Sequence, residues 1–396
     1  MFDVSSIQTA LQQLNLDGWL LYDFRGLNVL ARRVLGFSPE QFLSRRWFYF
    51  IPAQGEPKKL VHRIESAALA KYPGSTTKYL KWQELEAGVE ELVKGAKKVA
   101  MEYVPRNANP YVSRVDAGTV ELVQSFGVDI IPSGDLIQLF EAVWDDDQWA
   151  MHQEAAQHTA DAMQTAFKFI VENVRAGKSI RETDVQAKIM EYFSQNNLFT
   201  DHGPIVGVGP HSGDPHYAPT PGADSEIKEG DFVLVDLWAK CNRPRGVYSD
   251  ITWTCFVGKE VPEQYTKIFK IVAAGRDAAI TKVEQAFADN VVLQGWEVDQ
   301  AARQVIEHAG YGDAFIHRLG HSIGQETHGN GANMDNLETH EERRVMPGTC
   351  FSVEPGIYLP EFGVRSEVDV YVDKKGGVHV TGAPRQTEIV PLLANY

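Results

Sequence analysis

Two aspartates set inside apolar, strand-like runs constrain this chain more than any other feature. The stretch Phe232 to Phe256, FVLVDLWAKCNRPRGVYSDITWTCF, holds two runs rich in β-branched and aromatic residues. Asn242, Pro244 and Gly246 separate them, residue types that turns select. The stretch reads as a β-hairpin with its turn centred near Arg243, which sets Asp236 and Asp250 roughly opposite one another. Ionised carboxylates directly across a strand pair repel. Burying both requires something positive between them, and a divalent cation is the usual answer.

The device recurs near the end of the chain. CFSVEPGIYLPEFGVRSEVDVYV, Cys350 to Val372, puts Glu354 and Glu367 in two apolar runs joined by a turn around Pro360 to Gly363, so that these acids also face each other. Between the two hairpins, FIHRLGHSIGQETHGNG (Phe315 to Gly331) gathers His317, His321 and His328 in a segment too glycine-rich for a core helix. Neutral imidazole is the commonest protein metal ligand. Four carboxylates match the charge of two divalent ions, and an oxygen-rich set with one histidine suits paired Mn, Co, Fe or Zn better than a structural zinc site. The competing account, buried acids neutralised by arginines, needs four cations; Arg243, Arg245, Arg318 and Arg365 lie close in sequence.

The rest of the chain frames this site. With 396 residues, 43 % hydrophobic and 10 % aromatic, it is long enough for two or three domains with real cores. A net charge of −15 with no basic run argues against nucleic-acid or membrane partners. Cys241, Cys255 and Cys350 are odd in number and form no C-x-x-C, which suggests neither a disulfide framework nor a zinc knuckle and favours a reducing compartment. The opening MFDVSSIQTALQQL lacks a basic segment followed by an apolar one, and no run approaches the roughly 20 apolar residues of a membrane span. A cytoplasmic protein is expected.

Residues 1–145 alternate an amphipathic start, Ile7 to Leu14, with the apolar runs GWLLYDF, RWFYFIP, KKLVHRI, KKVAMEY and VDIIPSG, a small α/β domain. Arg45, Arg46 and Trp47 form a cationic and aromatic spot there, read as a strand flank. After the charged bridge Glu141 to Gln148, helices are expected to Arg175, over Thr183 to Asn196, Glu263 to Ala286 and Glu297 to Ala309. With the hairpins between them, residues 146–396 form an α+β domain.

Two motif matches are weaker. Gly320-His321-Ser322-Ile323-Gly324 fits the G-x-S-x-G elbow of serine hydrolases, but a loop-like QETHGNGANMDN follows Ser322 where a helix is needed. Gly207 to Gly213, GVGPHSG, lacks the lysine of a phosphate loop and reads as a turn leading to a site.

Asp236, Asp250 in SDIT, His321 in GHSIG, Glu354 in VEPGIY and Glu367 in RSEVDV resemble, in order, the five metal ligands of the pita-bread dinuclear metallopeptidases, a family that includes methionine aminopeptidase, aminopeptidase P and prolidase. The likeness covers roughly residues 150 to 390 by motif. The preceding GWLLYDFRGLNVLARRVLGF resembles the N-terminal domain of the proline-specific members. His216 in GPHSGDPHYAP, His317 and His328 in HRLGHSIGQETH, and Arg365 match further positions of that subgroup. Between the aspartates the family has a shorter, glycine-containing turn. This chain has LWAKCNRPRGVYS, with Trp238 where a glycine is common.

The resemblance implies metal-dependent hydrolysis of Xaa-Pro bonds by a hydroxide bridging two divalent ions, with manganese foremost and Co, Zn or Fe as alternatives. Asp250 and Glu367 would bridge the ions, Asp236 would complete one, and His321 with Glu354 the other. Glu354 would pass the proton to the proline nitrogen, while His328 and His216 orient the carbonyl and stabilise the oxyanion. His317 would line the substrate site. The expected substrates are Xaa-Pro dipeptides, with the free proline carboxylate met by Arg243 and Arg245, or Arg365. The alternatives are an aminopeptidase P acting on longer Xaa-Pro peptides and, more remotely, an inactive relative used as a binding module. A homodimer is expected, with the N-terminal domain helping to wall the partner's site.

Overall fold

Two units make up the chain in the computed structural model, which describes residues 3–38, 40–382 and 384–396. The first ends at Glu141 and the second runs from Ala142 to Tyr396. Among the described residues no helix is long and apolar enough to cross a membrane.

The first unit is built on one mixed sheet of β1 (Gly18–Asp23), β2 (Trp47–Pro52), β3 (Lys58–His62), β4 (Ser75–Tyr79), β5 (Lys98–Met101) and β6 (Asp129–Pro132), in the order β4-β3-β2-β1-β5-β6. Trp19, Leu21, Trp47 and Tyr49 enter one core while Leu20, Tyr22, Phe48 and Phe50 enter another. Burial on both faces is why these strands read as unbroken apolar runs rather than alternating ones. Sequence reading missed β4 because it is an edge strand: in STTKY only Tyr79 is buried. Trp47 lies in the core beside exposed Arg45, consistent with a strand flank.

In the second unit, α1 (Asp146–Arg175) opens with a reciprocal cap between Asp145 and Gln148 and stops at Ala176, before Gly177 in the left-handed region at φ 64°. Helix α2 (Glu182–Gln195) starts one residue earlier than expected, because Asp184 accepts the Arg181 N–H at 2.8 Å and makes Arg181 the cap. Helices α3 (Glu263–Ala288) and α4 (Gly295–His308) follow the long hairpin.

That hairpin is β8 (Phe232–Cys241) and β9 (Tyr248–Phe256), with β7 (Ile205–Val208) paired on the outer edge of β8. Its pairing runs from Phe232 opposite Phe256 to Lys240 opposite Tyr248. The turn is therefore centred on Pro244, not Arg243. Moving the centre by one residue slides the pairing by two, so Asp236 faces Thr252 and Asp250 faces Trp238. A two-residue slide preserves the face of every side chain. Val233, Val235, Leu237, Ile251, Trp253 and Cys255 meet α1 and α2, which leaves Asp236, Asp250 and Thr252 on the other face.

The second hairpin comprises β10 (Cys350–Val353), β11 (Gly356–Tyr358), β12 (Gly363–Arg365) and β13 (Val368–Val372). Val353 pairs with Val368 and Gly356 with Arg365, one register on both sides of a gap, and that register sets Glu354 opposite Glu367 within the gap. Both acids leave the ladder. The Glu354 N–H donates to the Leu319 carbonyl at 2.9 Å and the Glu367 N–H to the Thr252 carbonyl at 3.2 Å. The interruption thus stitches the second hairpin to the first and to the histidine segment. Phe351, Val353, Val368 and Val370 pack in the core that holds α3 and α4.

Close backbone approach accompanies this stitching. A Cβ at Gly320 would lie 2.0 Å from the Ser352 carbonyl oxygen, while the Gly320 N–H and C=O are both committed to Met334. Gly320→Ala is expected to lower stability by about 1–3 kcal/mol, measured as a lower urea midpoint with an unchanged slope.

Candidate metal centre

The two hairpins and the segment after α4 converge on one cluster. Asp250, His321 and Glu367 each offer a ligand atom, and these atoms lie within 4.8 Å of one another, all on buried residues. Asp236 is buried beside them. His321 Nε2 stands 3.4 Å from Glu354 Oε1 and 3.7 Å from Asp250 Oδ2. Ser352 joins two of these groups, accepting the His321 N–H at 2.9 Å and donating its hydroxyl to Glu354 at 3.1 Å.

The Arg365 guanidinium reaches the acids. Arg365, 3 % exposed, donates through Nη2 to Asp236, through Nε to Thr252 Oγ1 at 3.0 Å and through Nη1 to the Tyr358 hydroxyl at 3.0 Å. Its Nε lies 3.9 Å from Glu354. Thr252 donates in turn to Glu367 Oε2 at 2.6 Å. Arg243 and Arg245 point elsewhere: Arg243 pairs with Glu154 and Arg245 with Asp145. Cys241, nearest the tip on β8, is already five residues or about 17 Å of strand from Asp236. The expectation that the tip arginines serve this cluster finds no support in their placement. Arg365, also expected to meet substrate, spends its donors on Asp236, Thr252 and Tyr358.

The electrostatics follow from carboxylates that outnumber the arginines near them, with Asp236, Asp250 and Glu367 buried and Glu354 half-buried. Burial, then the charges of Asp236 and Asp369, hold the Asp250 carboxyl well above its usual range. Burial, then Asp250 and Glu354, does the same to Glu367. Asp236 is raised by burial against the pull of Arg365, and burial pushes Glu354 up to about 7. The His321 imidazole is driven well below its ordinary value by burial and by His328, so it is neutral and can offer a lone pair. Among the described residues, Asp236 Oδ1 and Asp250 Oδ1 are buried without a hydrogen-bond partner. Orphaned carboxylate oxygens and a neutral imidazole around surplus negative charge fit divalent cations; the arginine account does not supply enough charge.

The remaining histidines surround the cluster. The His328 ring meets His321 edge-on at 4.2 Å between centroids, and burial lowers its pKa to about 4. His317 Nε2 bonds the Tyr358 hydroxyl at 2.8 Å, and burial followed by Arg365 takes it to about 3. His216 is exposed, on the loop between β7 and β8. Ser322 is no nucleophile elbow: it sits in a short strand against β10, and its hydroxyl accepts the Gly331 N–H at 3.0 Å.

Sequence reading overlooked Thr252, Ser352, Tyr358 and Asp369. Asp369 accepts the Asp250 N–H at 2.9 Å, and burial raises its carboxyl to about 8. A signal existed, because Asp369 stands two residues beyond Glu367 in an apolar run, on the same face by strand alternation. Hydroxyls such as Thr252 and Tyr358 carry no such signal, since both types are ordinary strand residues.

Residues 150–374 match metallopeptidase family M24. The protein named "Probable dipeptidase PepE" of Mycobacterium tuberculosis is 28% identical over 365 residues, 91% of this chain and 89% of that one. An Xaa-Pro dipeptidase of Pyrococcus furiosus is 31% identical over 236 residues, 59% of this chain and 62% of its own. The crystal structure of dipeptidase PepE from Mycobacterium ulcerans superposes with a TM-score of 0.66 at 23% identity, covering 98% of this chain and 96% of that one, a likeness of fold.

A raised carboxyl reverses the usual pH dependence of stability. The folded state holds protons that the unfolded state has released, so stability falls as pH rises through the folded value. Above pH 7 the buried histidines are neutral in both states and drop out. Metal-free protein is expected to lose about 1–2 kcal/mol between pH 7 and 8.5 from Glu354 and Asp369, and a saturating divalent ion should remove the loss. Urea titrations at several pH values, with and without manganese, measure both.

Proposed function

Because the chain belongs to metallopeptidase family M24, we propose that it hydrolyses Xaa-Pro bonds, dipeptides foremost, at a centre of two divalent ions held by Asp236, Asp250, His321, Glu354 and Glu367. The observation that carries this reading is the convergence of Asp250, His321 and Glu367 on one buried point, with Asp236 and Glu354 alongside. The oxygen-rich donor set suits manganese. Divalent ions bound there supply an activated water at neutral pH and a Lewis acid for the scissile carbonyl.

The residues of the chain do the rest. An Xaa-Pro bond is a tertiary amide whose nitrogen must gain a proton to leave. Glu354, whose Oε1 lies 3.4 Å from His321 Nε2, is the carboxylate that takes up the proton and delivers it to that nitrogen. His328, neutral because buried, keeps one N–H to donate to the carbonyl oxygen as charge develops, and His216 at the rim orients the bound substrate. Arg365 acts as the orienting partner of Asp236 rather than as a dock for substrate, and through Tyr358 it also steadies His317. The preference for dipeptides is supported by relatives that carry that name. A homodimer and a cytoplasmic setting belong to the same proposal.

Glu367→Ala and His321→Ala should each lower turnover of Xaa-Pro dipeptides by about a thousandfold or more and reduce bound metal, with the circular dichroism spectrum unchanged. Activity persisting in metal-stripped protein would contradict the reading. Adding metals back singly, against Xaa-Pro dipeptides and Xaa-Pro-Xaa tripeptides, separates a dipeptidase from an aminopeptidase.

A further inference from the structure

Outside the metal cluster, one buried carboxylate collects more donors than any structural cap requires. Glu182 is fully buried at the first position of α2. Its Oε1 accepts the Val208 N–H at 2.7 Å and faces His211 Nδ1 at 2.9 Å. Its Oε2 accepts the Tyr217 hydroxyl at 2.6 Å and the Ser225 N–H at 2.7 Å. A carboxylate has about four lone-pair sites, and all are taken. The backbone reinforces the pairing, since the Glu182 N–H donates to the Ser225 carbonyl at 3.1 Å.

These donors are not scattered. Val208 ends β7, Ser225 closes the loop that follows, and His211 and Tyr217 lie within it, their rings stacked at 4.2 Å. A loop of this length with little regular structure is uncommon unless it serves a site. Its own side chains tie it on the opposite side to the second hairpin, where Ser212 Oγ accepts the Gly363 N–H at 2.9 Å at the start of β12. Held between Glu182 and β12, the strand whose Arg365 donates to Asp236, the loop carries His216.

We propose that Glu182 is a positioning residue: by gathering Val208, His211, Tyr217 and Ser225 on one carboxylate it fixes the 209–224 loop and so places His216 beside the substrate. This rests on the peptidase reading above. A glutamine in its place keeps the shape but has one acceptor oxygen, and its NH₂ opposes two of the four donors.

The test combines Glu182→Gln, His216→Ala and the double variant in the full chain, assayed with manganese on an Xaa-Pro dipeptide. Glu182→Gln should raise KM about tenfold while kcat moves by less than about threefold, with bound metal unchanged. The double variant should be little worse than His216→Ala alone, because the anchor acts through that residue. Hydrogen exchange should quicken in peptides spanning 206–226 and nowhere else. Effects that multiply in the double variant, or an unchanged KM over a loosened loop, would overturn the proposal. Should Glu182→Gln fail to fold, Tyr217→Phe removes one donor and should give the same pattern at about threefold; additivity with His216→Ala there overturns it equally. Absence of dipeptide cleavage by the wild-type protein counts against the activity, and the exchange comparison then judges the anchor by itself.

Discussion

Asp236, Asp250, Glu367 and Asp369, buried with half-buried Glu354 around the Arg365 guanidinium, set the terms for the second unit. Each isolated buried charge is costly, and Arg365 offsets part of one, leaving Asp250 and Glu367 to hold their protons or find a cation. The imbalance is what separates a site from a structural ion-pair network. A network of equal charges would leave no orphaned oxygens, whereas here Asp236 and Asp250 each keep one. Proton and metal therefore compete for the same atoms, which couples stability, pH and metal in one equilibrium.

The scaffold makes this imbalance tolerable by rigidity. Alternation along β8 and β9 commits one face to the helices, so the other face has no freedom to turn its acids outward. The gap in the second hairpin does complementary work. By leaving their own ladder, the amides of Glu354 and Glu367 reach Leu319 and Thr252, and three chain segments distant in sequence become one frame. Functional groups borne on strands with supporting hydrogen bonds are held more closely than groups on loops. His216 lies on a loop, and the Glu182 carboxylate supplies from α2 the restraint that a strand would otherwise give.

Much of the site was legible because charge inside an apolar run is rare enough to mean something. Asp236, Asp250, Glu354 and Glu367 stood out for that reason, and His321 for its company. The first hairpin's register was less legible. Asn242, Pro244 and Gly246 allow more than one turn centre, and only pairing along the whole of β8 and β9 selects Pro244. The tip arginines illustrate the opposite error: a cation near the acids in sequence need not be near in space, and the acids of α1 and its cap claim Arg243 and Arg245. Edge strand β4 escaped notice because its exposed, polar residues lack the apolar signal.

The sequence by itself singled out Asp236, Asp250, Glu354 and Glu367 and the two hairpins that hold them, because strand alternation and the cost of buried charge are local rules that composition and spacing express directly. Tertiary structure decided which arginine answers which acid, that Thr252, Tyr358 and Asp369 complete the network, and that Glu182 holds the loop of His216. Those outcomes depend on contacts between segments far apart in the chain, where donors meet acceptors only after packing has fixed their distance and angle.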